Sequence, residues 1–189
     1  VSCREVMRAT LERIAAVNPV HNAIVSLRDG DALLGEADEC DAQLARGATP
    51  AGPIGWMHGM PQAIKDAAQT AGLRTTFGSP LLRDNVPKLD GLMVQRMKAA
   101  GCIVIGKTNT PEFGLGSHTF NEVFGVTRNA YDPSKSAGGS SGGAAVALAT
   151  RMLAVADGSD FMGSLRNPAA WNNVFALRPS LGRVPLWPA

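Results

Sequence analysis

The sequence is poor in the residues that carry metal, redox and disulfide chemistry. Its 189 residues hold three cysteines, Cys3, Cys40 and Cys102, far apart and with no CxxC pair. An odd number of separated thiols favours free cysteines in a reducing compartment over a disulfide framework, so a cytoplasmic location is expected. The three histidines, His21, His58 and His118, show no metal-ligand spacing, which argues against a zinc site. Charge of one sign is also lacking. Eighteen Lys and Arg stand against 16 Asp and Glu, interspersed, for a formal charge of +2. That balance gives no electrostatic case for nucleic acid or for an anionic membrane surface. No apolar run approaches the ~18 residues of a spanning helix, and there is no internal repeat or low-complexity tract. The first residue is Val1, and no charged and then apolar leader pattern follows, so the chain is expected to begin inside a longer gene product.

What the chain does have is apolar content, 45% of its residues, enough to bury one sizeable core or to form part of a larger one. Ser2-Cys3-Arg4-Glu5 reads as a capping box. Val6, Met7, Leu11, Ile14 and Ala15 then recur at helical spacing, with Asn18-Pro19 expected to end the helix. A second helix is expected over about residues 31–46, stopped by Gly47. Together these make a helical N-terminal stretch, 1–47. After the breaker cluster Pro50-Ala51-Gly52-Pro53 a core region, 52–189, begins. There Lys65 lies in a nearly apolar run, Met60 to Ala68, where burial would lower its pKa and make it a candidate general base; the bland alternative is a carboxylate partner and a head group in water. Residues 92–101 predict a short amphipathic helix and 102–106 a buried strand.

Two local matches mislead. GCIVIGKT at 101–108 fits the phosphate-loop pattern, but the four residues between its glycines are β-branched strand sequence rather than a loop. GSSGG at 139–143 fits the nucleophile elbow, but no strand precedes it and no histidine follows His118 to complete a triad. The stretch from Ser134 to Pro168 is better read as two Gly/Ser-rich turns, GGSSGG at 138–143 and DGSDFMGS at 157–164. They flank a small apolar helix, 144–150, and a run expected to be an interior strand, 152–156. A tight turn over 161–164 would aim its N–H groups at one point beside the Ser164 hydroxyl, an oxyanion site by geometry. Lys65 and Ser140 would have to stand alongside as the proton path.

Four segments, GMPQAIKD at 59–66, GKTNTPEFG at 106–114, GGSSGG at 138–143 and GSDFMGSLRNPA at 158–169, together resemble the amidase signature family of serine hydrolases. The resemblance runs through essentially the whole chain in order and implies a mixed, largely parallel sheet with helices on both faces, of which this would be the N-terminal part. It implies Lys65 as base, Ser140 as bridging serine after a cis peptide, and Ser164 as nucleophile. The N–H groups of Phe161, Met162, Gly163 and Ser164 would be oxyanion donors, with Ser141, Asp160 and Arg166 supporting. Thr108 and Asn109 are expected to hydrogen-bond across the core. Trp56, His58, Trp171 and Phe175 are weighed as pocket walls against core.

The implied activity is hydrolysis of a small carboxamide through an acyl-enzyme, with no cofactor, no metal and no nucleic acid or membrane partner. The alternatives are an amidotransferase A-type subunit that supplies ammonia to a tRNA-linked partner, and an inert relic. Members of the family commonly run to more than twice this length. The chain is therefore expected to be part of a longer protein, or a fragment completed by a further chain, with a homodimer as the candidate assembly. Met162 stands where the family usually has glycine and would strain the turn if its φ were positive.

Overall fold

The computed structural model describes residues 1–47, 55–185 and 187. The breaker cluster at 50–53 lies outside them. Helix α1, Cys3–His21, opens with the capping box: the Glu5 N–H donates to Ser2 Oγ at 3.0 Å and the Glu5 carboxylate accepts the Ser2 N–H at 2.8 Å. Its buried stripe is Cys3, Met7, Ile14 and His21. The helix does not stop at Asn18-Pro19; it continues through Pro19 to a left-handed Asn22 at φ 51°. Asn18 is a splice rather than a stop. Its Oδ1 accepts the Ala23 and Ile24 N–H groups, both at 2.9 Å, and its Nδ2 donates to the Ile24 carbonyl at 2.8 Å, fixing how the chain enters β1, Ile24–Val25. Helix α2, Gly30–Ala45, is capped by Asp29, ends before Gly47 at φ +85°, and buries Leu33 and Ala37.

Strands β2, Pro61–Lys65, and β3, Ile103–Thr108, pair in parallel, and β1 pairs antiparallel on the other side of β3, giving the order β1-β3-β2. The phosphate-loop match at 101–108 is thus strand, as its β-branched residues require. The register slips between Gln62 and Ala63, which pair with Val104 and Gly106, so Ile105 is an extra residue. Its carbonyl is taken by the Arg28 N–H at 2.8 Å. A bulge of this kind re-aims the side chains beyond it. Past it, Lys65 registers with Thr108 and Ile64 with Lys107.

One face of the sheet packs Ala63, Ile103 and Ile105 against Met7 and Ile14 of α1, Leu33 and Ala37 of α2, and Val146 of α4, Gly142–Ala149. The other packs Ile64, Cys102 and Val104 against Val94 of α3, Leu92–Ala99, and Met57. Helices therefore cover both faces of a mixed sheet. A hairpin of β4, Phe120–Asn121, and β5, Gly125–Val126, and the short α5, Arg166–Trp171, complete the elements used below.

The expected strand at 152–156 is absent: Met152 and Leu153 are core, but the segment joins no ladder. Its ties to the edge strand run through side chains instead of a ladder. Gln62 Nε2 donates to the Val155 carbonyl at 2.9 Å, and the Lys65 N–H donates to the Asp157 carboxylate at 3.1 Å.

The small residues of α4 let it press end-on against the sheet. A Cβ at Gly143 would lie 2.3 Å from the Asn109 nitrogen and 2.6 Å from the Ala23 oxygen, both backbone. Gly143→Ala should cost about 3 kcal/mol or more in urea unfolding. Gly35→Ala, on an exposed helical turn with nothing within 4 Å, should add roughly 0.5–1 kcal/mol. Equal effects of the two substitutions would refute the close approach.

Candidate active site

Lys65 ends β2 on the face that looks toward the start of α4. It is 2% exposed. Its ammonium donates to Ser140 Oγ at 2.7 Å, Ser159 Oγ at 2.8 Å and Ser141 Oγ at 3.0 Å, and makes no ion pair among the described residues. The lysine thus neither snorkels nor rests on a carboxylate. Desolvation pushes its pKa down to about 8, opposed by the more distant charges of Asp157 and Asp160.

A second buried lysine, Lys107, on the opposite face, offers a contrast. It is also pushed down to about 8 by burial, but it donates to the Ala68 carbonyl at 2.6 Å and Thr70 Oγ1 at 2.8 Å, away from the serines.

The first Gly/Ser turn is held from all sides. The Gly139–Ser140 peptide is cis. Thr110 Oγ1 donates to the Ser140 carbonyl at 3.0 Å. Thr119 Oγ1 donates to the Gly138 carbonyl at 2.8 Å and accepts the Gly142 N–H at 3.1 Å. Behind Thr110, Asn109 accepts from Asn121 Nδ2 at 2.7 Å and donates to Thr127 Oγ1 at 3.0 Å, which meets its expected cross-core role. Thr108 departs from that expectation: its buried hydroxyl has no partner among the described residues.

The second turn is organised by Asp160, whose side chain is 2% exposed. Its carboxylate accepts Arg166 Nε at 2.8 Å and Nη2 at 3.1 Å, the Gly163 N–H at 2.7 Å, and the N–H groups of Arg166 at 3.2 Å and Leu165 at 3.3 Å. The Arg166 guanidinium, with these N–H groups, holds the carboxyl well below the usual carboxylate range. Gly163 therefore does not offer a free N–H for an oxyanion, because Asp160 occupies it. The N–H groups of Phe161, Met162 and Ser164 have no acceptor among the described residues. The positive φ of the turn, +107°, falls on Gly163 and not on Met162, so the methionine carries no left-handed strain.

The two turns meet through backbone: the Ser141 N–H donates to the Ser164 carbonyl at 2.9 Å. Ser164 itself is half-buried, and its hydroxyl makes no hydrogen bond to Ser140 among the described residues. Ser159 takes the place beside the lysine that sequence reasoning left open. The signal was Gly158, which brings the chain so close that a Cβ there would lie 3.0 Å from Ser141 Oγ. Ser141 Oγ accepts the Ser159 N–H at 3.2 Å and donates to the Ser159 carbonyl at 3.3 Å. Of the weighed aromatic residues, Trp56 and Phe175 are exposed, 75% and 88%, and so are not core. His58 turns to the Cys40 carbonyl at 3.0 Å, and Trp171 packs against His118 with ring centroids 5.8 Å apart.

The amidase family model matches residues 5–189. This chain belongs to the amidase signature family. It is 44% identical over 184 residues to the A-type subunit of glutamyl-tRNA(Gln) amidotransferase from Acidothermus cellulolyticus, covering 97% of this chain and 35% of that protein. A bacterial aryl acylamidase of the same family superposes with a TM-score of 0.89 at 35% identity, over 98% of this chain and 38% of that one. The peptide amidase of Stenotrophomonas maltophilia superposes with a TM-score of 0.81 at 35% identity, over 91% and 36%. The chain thus spans little more than a third of these relatives, and its mixed sheet is the N-terminal portion of their fold. Among the described residues no helix is long and apolar enough to cross a membrane.

The two buried lysines make a pH prediction for this family member. Both titrate lower in the folded chain than their ordinary 10.5. Above about pH 8 the unfolded chain therefore binds more protons, and stability rises with pH. From about pH 8 the thiols, whose folded pKa values burial raises above the ordinary 9.0, act in the opposite direction. Unfolding free energies from urea titration should gain about 1 kcal/mol per lysine between pH 8 and 9, offset in part by the thiols. In Lys107→Met the gain should fall by about 1 kcal/mol relative to the parent chain; an unchanged gain would mean that Lys107 is solvated.

Proposed function

We propose that this chain carries the amide-cleaving centre of an amidase, with Lys65 as base, Ser140 as proton relay and Ser164 as nucleophile. The observation that carries this reading is the buried Lys65 ammonium resting 2.7 Å from Ser140 Oγ with hydroxyl neighbours only. An amine with a pKa near 8 is neutral in a useful fraction at physiological pH, so it can accept a proton.

In the proposed reaction Lys65 Nζ takes the Ser140 proton while Ser140 Oγ takes that of Ser164. Ser164 Oγ bonds to the substrate carbonyl carbon, whose π electrons move to oxygen. The tetrahedral oxyanion is met by the open N–H groups of the second turn, Phe161, Met162 and Ser164. Collapse breaks the C–N bond, and the relay run in reverse protonates the leaving amine. Water, deprotonated by the same path, then cleaves the acyl-enzyme to a carboxylic acid. The relay requires Ser164 Oγ to close on Ser140 Oγ. The bond from the Ser141 N–H to the Ser164 carbonyl keeps the two serines on adjoining backbone for that closure.

The substrate class is a small-molecule amide. Phe161 and Met162, 91% and 83% exposed, stand beside the proposed oxyanion site as an apolar rim. A second reading, an amidotransferase A-type subunit that releases ammonia from an amide for a tRNA-linked partner, is favoured by the names of the sequence relatives. It uses the same lysine and serines, and glutaminase activity that depends on a partner protein would select it.

Fluorophosphonate labelling located by mass spectrometry tests the assignment. The label should sit on Ser164, vanish in Ser164→Ala and Lys65→Ala, and form faster as pH rises through about 8, since only neutral Lys65 takes the proton. A label on Ser159, or labelling that survives Lys65→Ala, would overturn these roles. The rim predicts a separate outcome. Met162→Gly should widen acyl selectivity toward bulkier amides with the label still on Ser164; unchanged selectivity would remove the rim as a filter.

A further inference from the structure

We propose that a second cavity, behind the GGSSGG turn, binds a small organic anion with an apolar body. The cavity measures about 280 Å³ and lies between the β4–β5 hairpin and the 133–136 segment. One wall is cationic: Arg128 and Lys135 line it, and neither has a carboxylate within ion-pair reach among the described residues. The nearest acid in sequence, Asp132, is not a wall residue. Its carboxylate is engaged by the Ser134 N–H at 2.9 Å and hydroxyl at 2.6 Å. The same cavity is lined by the cross-strand pair Phe120 and Val126, whose side chains stay 59% and 52% exposed.

Cationic and apolar side chains lining one cavity select an anion on an aryl or alkyl body, a carboxylate or a phosphate ester, over either a bare ion or a neutral hydrocarbon. The other large cavity, about 340 Å³, lacks this character, because its cations Arg28 and Lys98 are already paired with Glu36 and Asp90.

The walls also belong to the scaffold of the proposed relay. Ser136 Oγ accepts the Gly138 N–H at 3.0 Å and pairs with His118 Nδ1 at 2.7 Å, and Thr119 holds both Gly138 and Gly142. His118 packs on Gly139, where a Cβ would lie 2.8 Å from the His118 nitrogen. An occupant that orders His118, Thr119 and Ser136 is therefore felt at the backbone on either side of Ser140. Lys65 is not among the residues that line the cavity, so the existence of this site does not rest on the amide chemistry.

Calorimetric titration of the full chain with phenyl phosphate tests the proposal, with inorganic phosphate and benzyl alcohol as comparisons. Phenyl phosphate should bind saturably at one site, inorganic phosphate about tenfold more weakly, and benzyl alcohol without detectable heat. Arg128→Gln with Lys135→Gln should weaken phenyl phosphate about tenfold or more, and Lys135→Gln alone, an exposed change that leaves packing untouched, by about threefold. Amide shifts on binding should concentrate in residues 118–136. Undiminished affinity in the folded double variant, equal binding of benzyl alcohol, or shifts centred on residues 157–166 would each overturn the site. Fluorophosphonate labelling of Ser164 is read separately, so failure at this cavity leaves the hydrolase reading standing, and the reverse also holds.

Discussion

A buried ammonium with no counter-ion among the described residues is the constraint around which this molecule is arranged. Lys65 is charged only at the expense of desolvation, and its surroundings answer with three hydroxyl oxygens from two different turns. Had a carboxylate stood at that point, the amine would remain protonated, strongly paired and chemically idle. Asp157 comes near but spends its carboxylate on the Lys65 backbone N–H, and Asp160 spends its own on Arg166 and the second turn. Both acids act on the lysine as distant charges that moderate the shift without cancelling it. This balance belongs to the level of packing, and the amide chemistry proposed for the family member follows from it.

The sheet supplies the placement. Slipping one residue at Ile105 puts Lys65 and Lys107 on opposite faces, each buried and each with a lowered pKa. The difference between them lies in their partners. Hydroxyls that can pass on a proton surround the first, whereas the second sits on a carbonyl and a threonine, where an amine only bridges. A perturbed pKa alone does not distinguish a catalytic lysine from a structural one; the neighbours do.

Much of this was legible in residue order. Capping by Ser2 and Glu5, the stop at Gly47, the strand at 102–106 and the small-residue helix after GGSSGG rest on local rules, and local rules transfer. Pro19 misled because the side chain of Asn18 reorganised the helix end, a cooperation between residues that propensity does not encode. The 152–156 run misled in the other direction: its apolar composition suits a strand, but it meets the edge strand through the Gln62 amide on the Val155 carbonyl and the Lys65 N–H on the Asp157 carboxylate in place of a ladder. At the site, Lys65 and the turn serines could be singled out by type and motif. Ser159 beside the amine at 2.8 Å, and Asp160 capturing the Gly163 N–H at 2.7 Å, depend on close approaches that no spacing rule reports.

The joint between the two turns has a consequence for how such a protein diversifies. Ser141 and Ser164 are connected by main chain, and Asp160 fastens the rest of the second turn mostly through main-chain N–H groups. Main-chain bonds are indifferent to the side chains that ride on them. Phe161 and Met162 project outward from this frame, so mutation can resculpt the mouth of the site without loosening its floor. On the proposed reading, drift at those two positions would explore new ligands while the reactive geometry is inherited intact, and an ancestral architecture could be repurposed one rim residue at a time.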